Sequence, residues 1–191
     1  MEREVEDIDA VIEVAGGSAF LYGKSSGAAL ALEAAASGLP ITKLTLWEPP
    51  FVPEGGPMPP PDTAKTYTDL VAAGRRGDAV EYFMSKVVGL PDEFVTQMRA
   101  APFWPQQEAL AHTLAYDATV MGDYRLPAER ASSVKMPTLA MAGGGSFPWM
   151  AETARSLAEV IPDAEVRMLE GQTHDVAPEA MAAVLTDFFG S

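Results

Sequence analysis

The chain has 191 residues, 48% apolar and 21% charged, which is typical of a soluble globular domain with a buried core. Its net charge of −14 argues against nucleic acid or an anionic membrane surface as a partner, because either polyanion would repel it. It has no cysteine, which excludes disulfides, thiolate metal sites and a cysteine nucleophile. The sequence shows neither a long apolar run nor a leader pattern, so we expect no membrane segment and a cytoplasmic location.

The first part of the chain alternates between helical and strand patterns. Apolar residues at helical spacing and strand-like apolar runs, bounded by glycine and proline, define the elements. In chain order they are a helix at residues 4–13, a strand at 18–22, a helix at 28–37 and a strand at 41–47. A proline- and glycine-rich loop at residues 53–61 follows the second strand.

The middle of the chain is helical, and the alternation then resumes. Helical spacing predicts helices at residues 63–73, 78–88, 92–100 and 105–116. The closing elements are a strand at 138–142, a helix at 149–160, a strand at 165–169 and a helix at 178–189. This order predicts the α/β class: a doubly wound, mostly parallel sheet with helices on both faces and a helical insertion.

A serine lies on the tight turn between the first strand and the following helix. Residues 23–27 read Gly-Lys-Ser-Ser-Gly, a G-x-S-x-G pattern that holds the serine in a strained backbone conformation. We expect a side chain in place of either Gly23 or Gly27 to collide with the neighbouring strand or helix. The Ser25 hydroxyl then projects from the sheet, beside the free N–H groups of the first helical turn. A Gly/Ser loop that merely caps the helix is the alternative.

A catalytic serine needs a base, and the chain has two histidines. His174 lies in a polar loop, residues 171–175, that follows the last strand. Because the carboxyl ends of parallel strands share one rim, we expect His174 and Ser25 to lie at the same edge of the sheet. His112 lies within an amphipathic helix of the insertion, where packing or surface exposure explains it. The pattern therefore favours His174 as the base.

The order of these motifs resembles the second half of the α/β-hydrolase fold family. The shared features are the strand, the G-x-S-x-G turn, a strand ending in Glu-Pro-Pro at residues 48–50, a helical cap, and Gly-Gln-Thr-His at residues 171–174 before the last helix. The resemblance implies that Ser25 is the nucleophile, that His174 is the general base and then acid, and that the Ser26 N–H is one arm of the oxyanion hole. It further implies a hydrolase core at residues 1–48 and 133–191, and a cap at residues 49–132.

The third member of the triad departs from the commonest family pattern. The family usually carries an aspartate in the turn after the penultimate strand, where residues 143–146 read Gly-Gly-Gly-Ser. Some members instead supply the carboxylate at the end of the strand after the elbow helix, and Glu48 lies there. We therefore predict the triad Ser25, His174 and Glu48. Asp175 is the weaker alternative, because adjacent side chains rarely meet in hydrogen-bonding geometry.

The family carries further strands before the elbow strand, and one of their loops donates the second oxyanion N–H. Only one helix precedes residue 18, so we expect these strands to be absent from this sequence. The edge of the first strand would then be open, which predicts homo-oligomers or aggregates that pair through this edge. A gene start assigned too late, completion by a partner chain, and a rearranged fold that hides the edge are the alternatives.

The substrate is predicted from the apolar residues of the cap and of the loop after the third strand. Trp104, His112, Phe147 and Trp149 are the candidate pocket residues, and they favour a small apolar ester, thioester or lactone. We expect no metal and no cofactor, because the sequence shows neither metal-ligand spacing nor a phosphate or dinucleotide loop. The alternatives are a non-catalytic hydrolase-like module that binds a ligand or partner, and a lyase that uses the same pocket.

Overall fold

A computed structural model describes residues 1–190 of the chain. These residues form two compact units, one made of residues 1–56 and 123–190 and the other of Pro57–Gly122. The first unit contains the sheet, and the second is built from helices. The assignment of a hydrolase core and a cap to particular ranges stays a prediction, and Ser191 of the predicted core lies outside the described residues.

The first unit is built on a parallel sheet of four strands in the order β1-β2-β3-β4. The strands are β1 (Ala19–Lys24), β2 (Ile41–Trp47), β3 (Thr138–Gly143) and β4 (Ala164–Leu169). Lys24 lies opposite Trp47, so the carboxyl ends of β1 and β2 are level, and β3 runs two residues beyond Met141, the residue opposite Trp47. The predicted α/β class with a parallel sheet is confirmed, and within the described residues β1 is an edge strand.

Most helices lie where they were predicted, but α8 was not predicted and two predicted helices, at residues 78–88 and 105–116, are divided. In the described chain they are α1 (Glu2–Val14), α2 (Ser26–Ala36), α3 (Thr63–Ala72), α4 (Arg76–Tyr82), α5 (Asp92–Arg99), α6 (Trp104–Leu110), α7 (Leu114–Met121), α8 (Ala128–Ser132), α9 (Pro148–Val160) and α10 (Pro178–Gly190). A π-helical turn at Phe83–Val87 follows α4, and a 3₁₀ turn at Ala111–Thr113 separates α6 from α7. The described helices include none that is long and apolar enough to cross a membrane.

The prediction of one continuous helix over residues 105–116 was wrong. The Arg76 guanidinium donates hydrogen bonds to the carbonyls of Glu108 and Ala109, at 3.3 and 3.0 Å, where α6 ends. The His112 ring nitrogen Nδ1 also lies 3.1 Å from the Ala109 carbonyl. These side chains engage the last carbonyls of α6, so the chain tightens into a 3₁₀ turn before α7 begins.

The sheet of the first unit is covered on both faces. On one face Trp47, Leu139 and Met141 pack against Met181 and Phe188 of α10. On the other face α2 lies so close to β1 that a Cβ built on Gly23 would stand 2.8 Å from the Ala31 methyl group. The second unit has its own core of buried residues, which are Tyr67, Ala79, Val80, Val95, Trp104, Ala111 and Ala118. The residues that follow the carboxyl ends of the strands in the first unit include the candidate site residues.

Candidate active site

Ser25 lies on a strained turn between β1 and α2. Its φ of +56° and ψ of −130° fall in a region that side chains rarely adopt, at a cost of about 1–3 kcal/mol. Its N–H donates to the Trp47 carbonyl at 2.9 Å, and its own carbonyl accepts from the Ala28 N–H at 2.8 Å. The turn is therefore held to β2 on one side and to the start of α2 on the other.

The two glycines of the pattern have different roles. A Cβ at Gly23 would lie 2.5 Å from the Gly27 carbonyl oxygen and 2.6 Å from Ala28 Cα, so only glycine fits there. A Cβ at Gly27 would meet nothing within 4 Å. The expectation that both positions require glycine was therefore wrong for Gly27, because this residue lies in the first turn of α2 and faces solvent.

The helix after Ser25 provides backbone donors at the site. Ser26 is the first residue of α2, and the N–H groups of a first helical turn have no acceptor within their own helix. They also form the positive end of the helix dipole. The position of Ser26 is therefore one from which a backbone N–H can stabilise a developing negative charge, and its part in an oxyanion hole stays a prediction.

Glu48 and His174 meet although they are 126 residues apart. The Nδ1 atom of His174 lies 2.7 Å from Glu48 Oε2, and the Gly143 N–H donates to Glu48 Oε1 at 2.7 Å. The Glu48 side chain is 0% exposed, whereas the His174 side chain is 41% exposed. Glu48 has a φ of +45° and directly follows β2. The buried Glu48 carboxylate is thus hydrogen-bonded to Nδ1 of the His174 ring, and the other ring nitrogen, Nε2, remains for other partners.

The carboxylate is kept ionised by its partners. Burial alone would raise the pKa of Glu48, but the hydrogen bonds from His174 and from the Gly143 N–H, together with the nearby Ser146 hydroxyl, outweigh burial and lower the pKa below its ordinary value. The Ser146 hydroxyl is itself buried and lies outside regular hydrogen-bond geometry, so it acts on the carboxylate as a nearby dipole. An ionised carboxylate on Nδ1 holds the imidazole in the tautomer that leaves Nε2 free to accept a proton.

The three glycines at the end of β3, residues 143–145, let the histidine loop approach the sheet. A Cβ on Gly143 would overlap the backbone of Gln172, and the Gly145 N–H donates to the Gln172 carbonyl at 2.8 Å. The Gly144 N–H donates to the Leu169 carbonyl at 3.0 Å. The sequence analysis noted these glycines only because the family usually carries an aspartate in this turn. Their packing role depends on a loop about 30 residues away, which no local pattern reveals.

Two contacts reach the histidine loop, one from Lys24 beside Ser25 and one from Trp47 at the end of β2. Lys24 Nζ forms an ion pair with Asp175 Oδ1 at 3.1 Å, and the Trp47 indole Nε1–H donates to the His174 carbonyl at 3.0 Å. Asp175 therefore pairs with Lys24 while Glu48 takes the His174 ring, and its side chain is 96% exposed. Neither Lys24 nor Trp47 was identified from the sequence as a site residue, because their partners lie more than 100 residues along the chain.

The candidate pocket residues lie in both units. Phe147 is exposed just before α9 and Trp149 is half-buried in its first turn. In the second unit Trp104 is buried and donates its indole N–H to Glu108 at 3.0 Å, while His112 is exposed. A role in substrate binding stays a prediction for all four. The described residues include no cluster of side chains that would hold a metal ion.

Comparison with models of protein families and with curated proteins found no match. Among solved structures, an alpha/beta hydrolase from Sphaerobacter thermophilus DSM 20745 is 54% identical, with a TM-score of 0.91, and the match covers 98% of this chain and 74% of that chain. The chain belongs to the α/β-hydrolase family. Membership in this family supports hydrolase activity in general.

More distant structures share the fold. MGS-M2, an alpha/beta hydrolase enzyme from a Medee basin deep-sea metagenome library, has a TM-score of 0.68 at 18% identity, over 98% of this chain and 70% of that chain. A 2-hydroxy-6-oxo-6-phenylhexa-2,4-dienoate hydrolase from Rhodococcus sp. strain RHA1 has a TM-score of 0.62 at 18% identity, over 98% and 69% of the two chains. At these identities the likeness carries the fold alone.

Proposed function

We propose that this protein is a serine hydrolase that cleaves a small apolar carboxylic ester, thioester or lactone through an acyl-enzyme on Ser25. The observation that carries the proposal is the 2.7 Å contact between His174 Nδ1 and the fully buried carboxylate of Glu48. A buried, ionised acid on Nδ1 serves to orient and charge-stabilise a general base. The contacts from Lys24 and Trp47 tie the loop that carries this base to the turn that carries Ser25.

The reaction proceeds in two steps. In the first, His174 Nε2 takes the proton of the Ser25 hydroxyl as Oγ attacks the carbonyl carbon, and the oxyanion is stabilised by the Ser26 N–H. His174 then gives that proton to the departing alcohol or thiol, which leaves the acyl group on Ser25. In the second step His174 accepts a proton from water as the water attacks the acyl carbon. It then returns a proton to Ser25 Oγ as the bond between Oγ and the acyl carbon breaks, and the acid is released.

The charge of the protein and its apolar side chains indicate the substrate class. The net charge of −14 disfavours anionic substrates such as phosphate esters, which need clustered cations. Phe147 and Trp149 lie near the carboxyl end of β3 in the first unit and are only partly buried. Such partly exposed aromatic rings suit the apolar acyl or alcohol part of a neutral ester.

Labelling with a fluorophosphonate probe tests the proposal. The wild-type protein should gain one covalent adduct, Ser25→Ala should gain none, and Ser133→Ala should be labelled as the wild type is. Ser133 is a suitable control because it is an exposed serine at the end of α8, where its hydroxyl bonds the Arg130 carbonyl. A burst of p-nitrophenol from short acyl esters would then show the acyl-enzyme. Folded wild-type protein that takes no label would overturn the proposal in favour of a non-catalytic binding module, and full turnover by Ser25→Ala would favour a lyase.

The proposal extends to self-association through the edge of β1. An edge strand presents unpaired N–H and carbonyl groups, and Phe20 on this strand is 51% exposed. We expect light scattering at micromolar concentration to give a mass above that of the 20.3 kDa chain. Phe20→Lys should lower that mass, because a charge on an edge strand opposes pairing. A monomer for the unmodified protein would contradict this part of the proposal.

A further inference from the structure

Trp47, the last residue of β2, contacts both halves of the candidate site. Its backbone carbonyl accepts a hydrogen bond from the Ser25 N–H at 2.9 Å. Its indole Nε1–H donates to the His174 carbonyl at 3.0 Å. A single residue therefore binds the main chain of the serine turn and the main chain of the histidine loop.

The indole has little freedom to move. Trp47 is fully buried and packs with Leu139, Met141 and Leu169 of the sheet and with α10. A large ring in a close-packed cluster keeps one rotamer, so its N–H group points in a fixed direction. The hydrogen bond to the His174 carbonyl is therefore directed by the core of the unit, unlike a contact from a flexible surface side chain.

Consecutive residues hold His174 at two points. Trp47 binds its main chain, and Glu48 binds its ring at Nδ1. The ion pair between Lys24 and Asp175 also reaches this loop, but Asp175 is 96% exposed, and such surface pairs contribute only about 0–1 kcal/mol. The indole N–H is thus the buried restraint on the main chain of the base.

We propose that Trp47 is a positioning residue of the hydrolase site, an inference that rests on the function proposed above. The indole N–H fixes the His174 carbonyl, and so sets the direction in which the ring leaves the main chain. With the ring anchored on Glu48 through Nδ1, this direction decides where Nε2 lies. A displacement of a catalytic group by about 1 Å lowers a rate by roughly 100-fold, so a modest shift of the loop has a large effect on catalysis.

A purely structural role makes a different prediction. If Trp47 only fills the core, its replacement lowers stability and leaves the rate of the folded molecules unchanged. If it positions His174, loss of the N–H alone lowers kcat and the rate of probe labelling, and KM stays near its wild-type value. The Nδ1–H resonance of His174 in the proton NMR spectrum would broaden or shift as well, because the ring would no longer rest steadily on Glu48.

The sharpest test removes the donor and keeps the shape. Site-specific incorporation of β-(3-benzothienyl)alanine at position 47 puts sulfur where the indole has N–H. Trp47→Phe removes the same donor with a standard amino acid. We expect both to label with fluorophosphonate about 10- to 100-fold more slowly than the wild type, with KM nearly constant. Leu157→Ala is the matched control, because Leu157 is fully buried in α9, and its loss lowers stability without touching the site.

The outcomes separate this inference from the proposed function. A benzothienyl variant that labels at the wild-type rate, with an unchanged His174 Nδ1–H signal, overturns the positioning role while the hydrolase assignment stands. If the wild-type protein takes no label, the proposed function fails, and the NMR signal still decides whether the indole N–H holds His174. The chain has two histidines, so the spectrum of His112→Gln assigns the signal.

Discussion

Replacing Glu48 by glutamine tests its proposed role as the triad acid, because glutamine keeps the length of the side chain and removes its charge. In the structure one carboxylate oxygen faces His174 Nδ1 and the other accepts from the Gly143 N–H, both at 2.7 Å. Glutamine has only one oxygen and carries an NH₂ group in the second place. If the oxygen stays with Gly143, the NH₂ group faces Nδ1 and moves the imidazole proton to Nε2. In that tautomer the ring cannot take the proton of Ser25.

The size of the effect follows from this geometry. A wrong tautomer of the base lowers kcat by roughly 10⁴-fold in a serine hydrolase, which is about 5.4 kcal/mol of transition-state stabilisation. Stability should change less, because the rearranged amide satisfies both neighbours. If the amide turned the other way, the Gly143 N–H would be left without an acceptor at a cost of about 1–3 kcal/mol. We therefore expect Glu48→Gln to remain folded and to lose nearly all activity.

The assay compares kcat on a p-nitrophenyl ester with the free energy of unfolding in urea, both at neutral pH. Glu48→Asp is the partner variant, since it keeps the charge and shortens the reach, and its kcat should fall between those of the wild type and Glu48→Gln. A folded Glu48→Gln protein that keeps kcat within about threefold of the wild type would refute the reasoning, because a triad acid contributes far more.

The remaining predictions concern the turn, the pH and the second carboxylate. Gly23→Ala should cost more than about 2 kcal/mol or prevent folding, because its Cβ meets backbone at 2.5 Å, whereas Gly27→Ala should stay within about 0.5 kcal/mol of the wild type. Urea unfolding measures both, and equal effects would contradict the assignment. Since the folded pKa of Glu48 is lowered, its ionised form adds stability above the unfolded pKa of about 4.3, and this stability is lost as the pH falls through the folded pKa. The stability difference between wild type and Glu48→Gln should therefore shrink in acid, and a difference that does not vary with pH in unfolding curves would exclude this linkage. Asp175→Asn should keep kcat within several-fold of the wild type because Asp175 pairs with Lys24, and a loss as deep as that of Glu48→Gln would make Asp175 the acid.

The sequence predicted most of the first unit because its elements carry strong local patterns. The strand at residues 41–47 has the same bounds in the structure, and Glu48 was placed at its end by chain position alone. α8 was missed because five residues are too short to show a helical period. The link from Trp47 to His174 was missed for a different reason. It joins positions 127 apart, and only the packed sheet brings them together.

The left-handed backbone at Ser25 has a consequence for how such a protein changes over generations. Glycine adopts this conformation without strain, so Ser25→Gly would relieve part of the 1–3 kcal/mol that a side chain costs there. If selection acted on folding stability alone, glycine would be favoured at this position. On the function proposed above, serine at this turn gives up folding stability in exchange for a reactive hydroxyl.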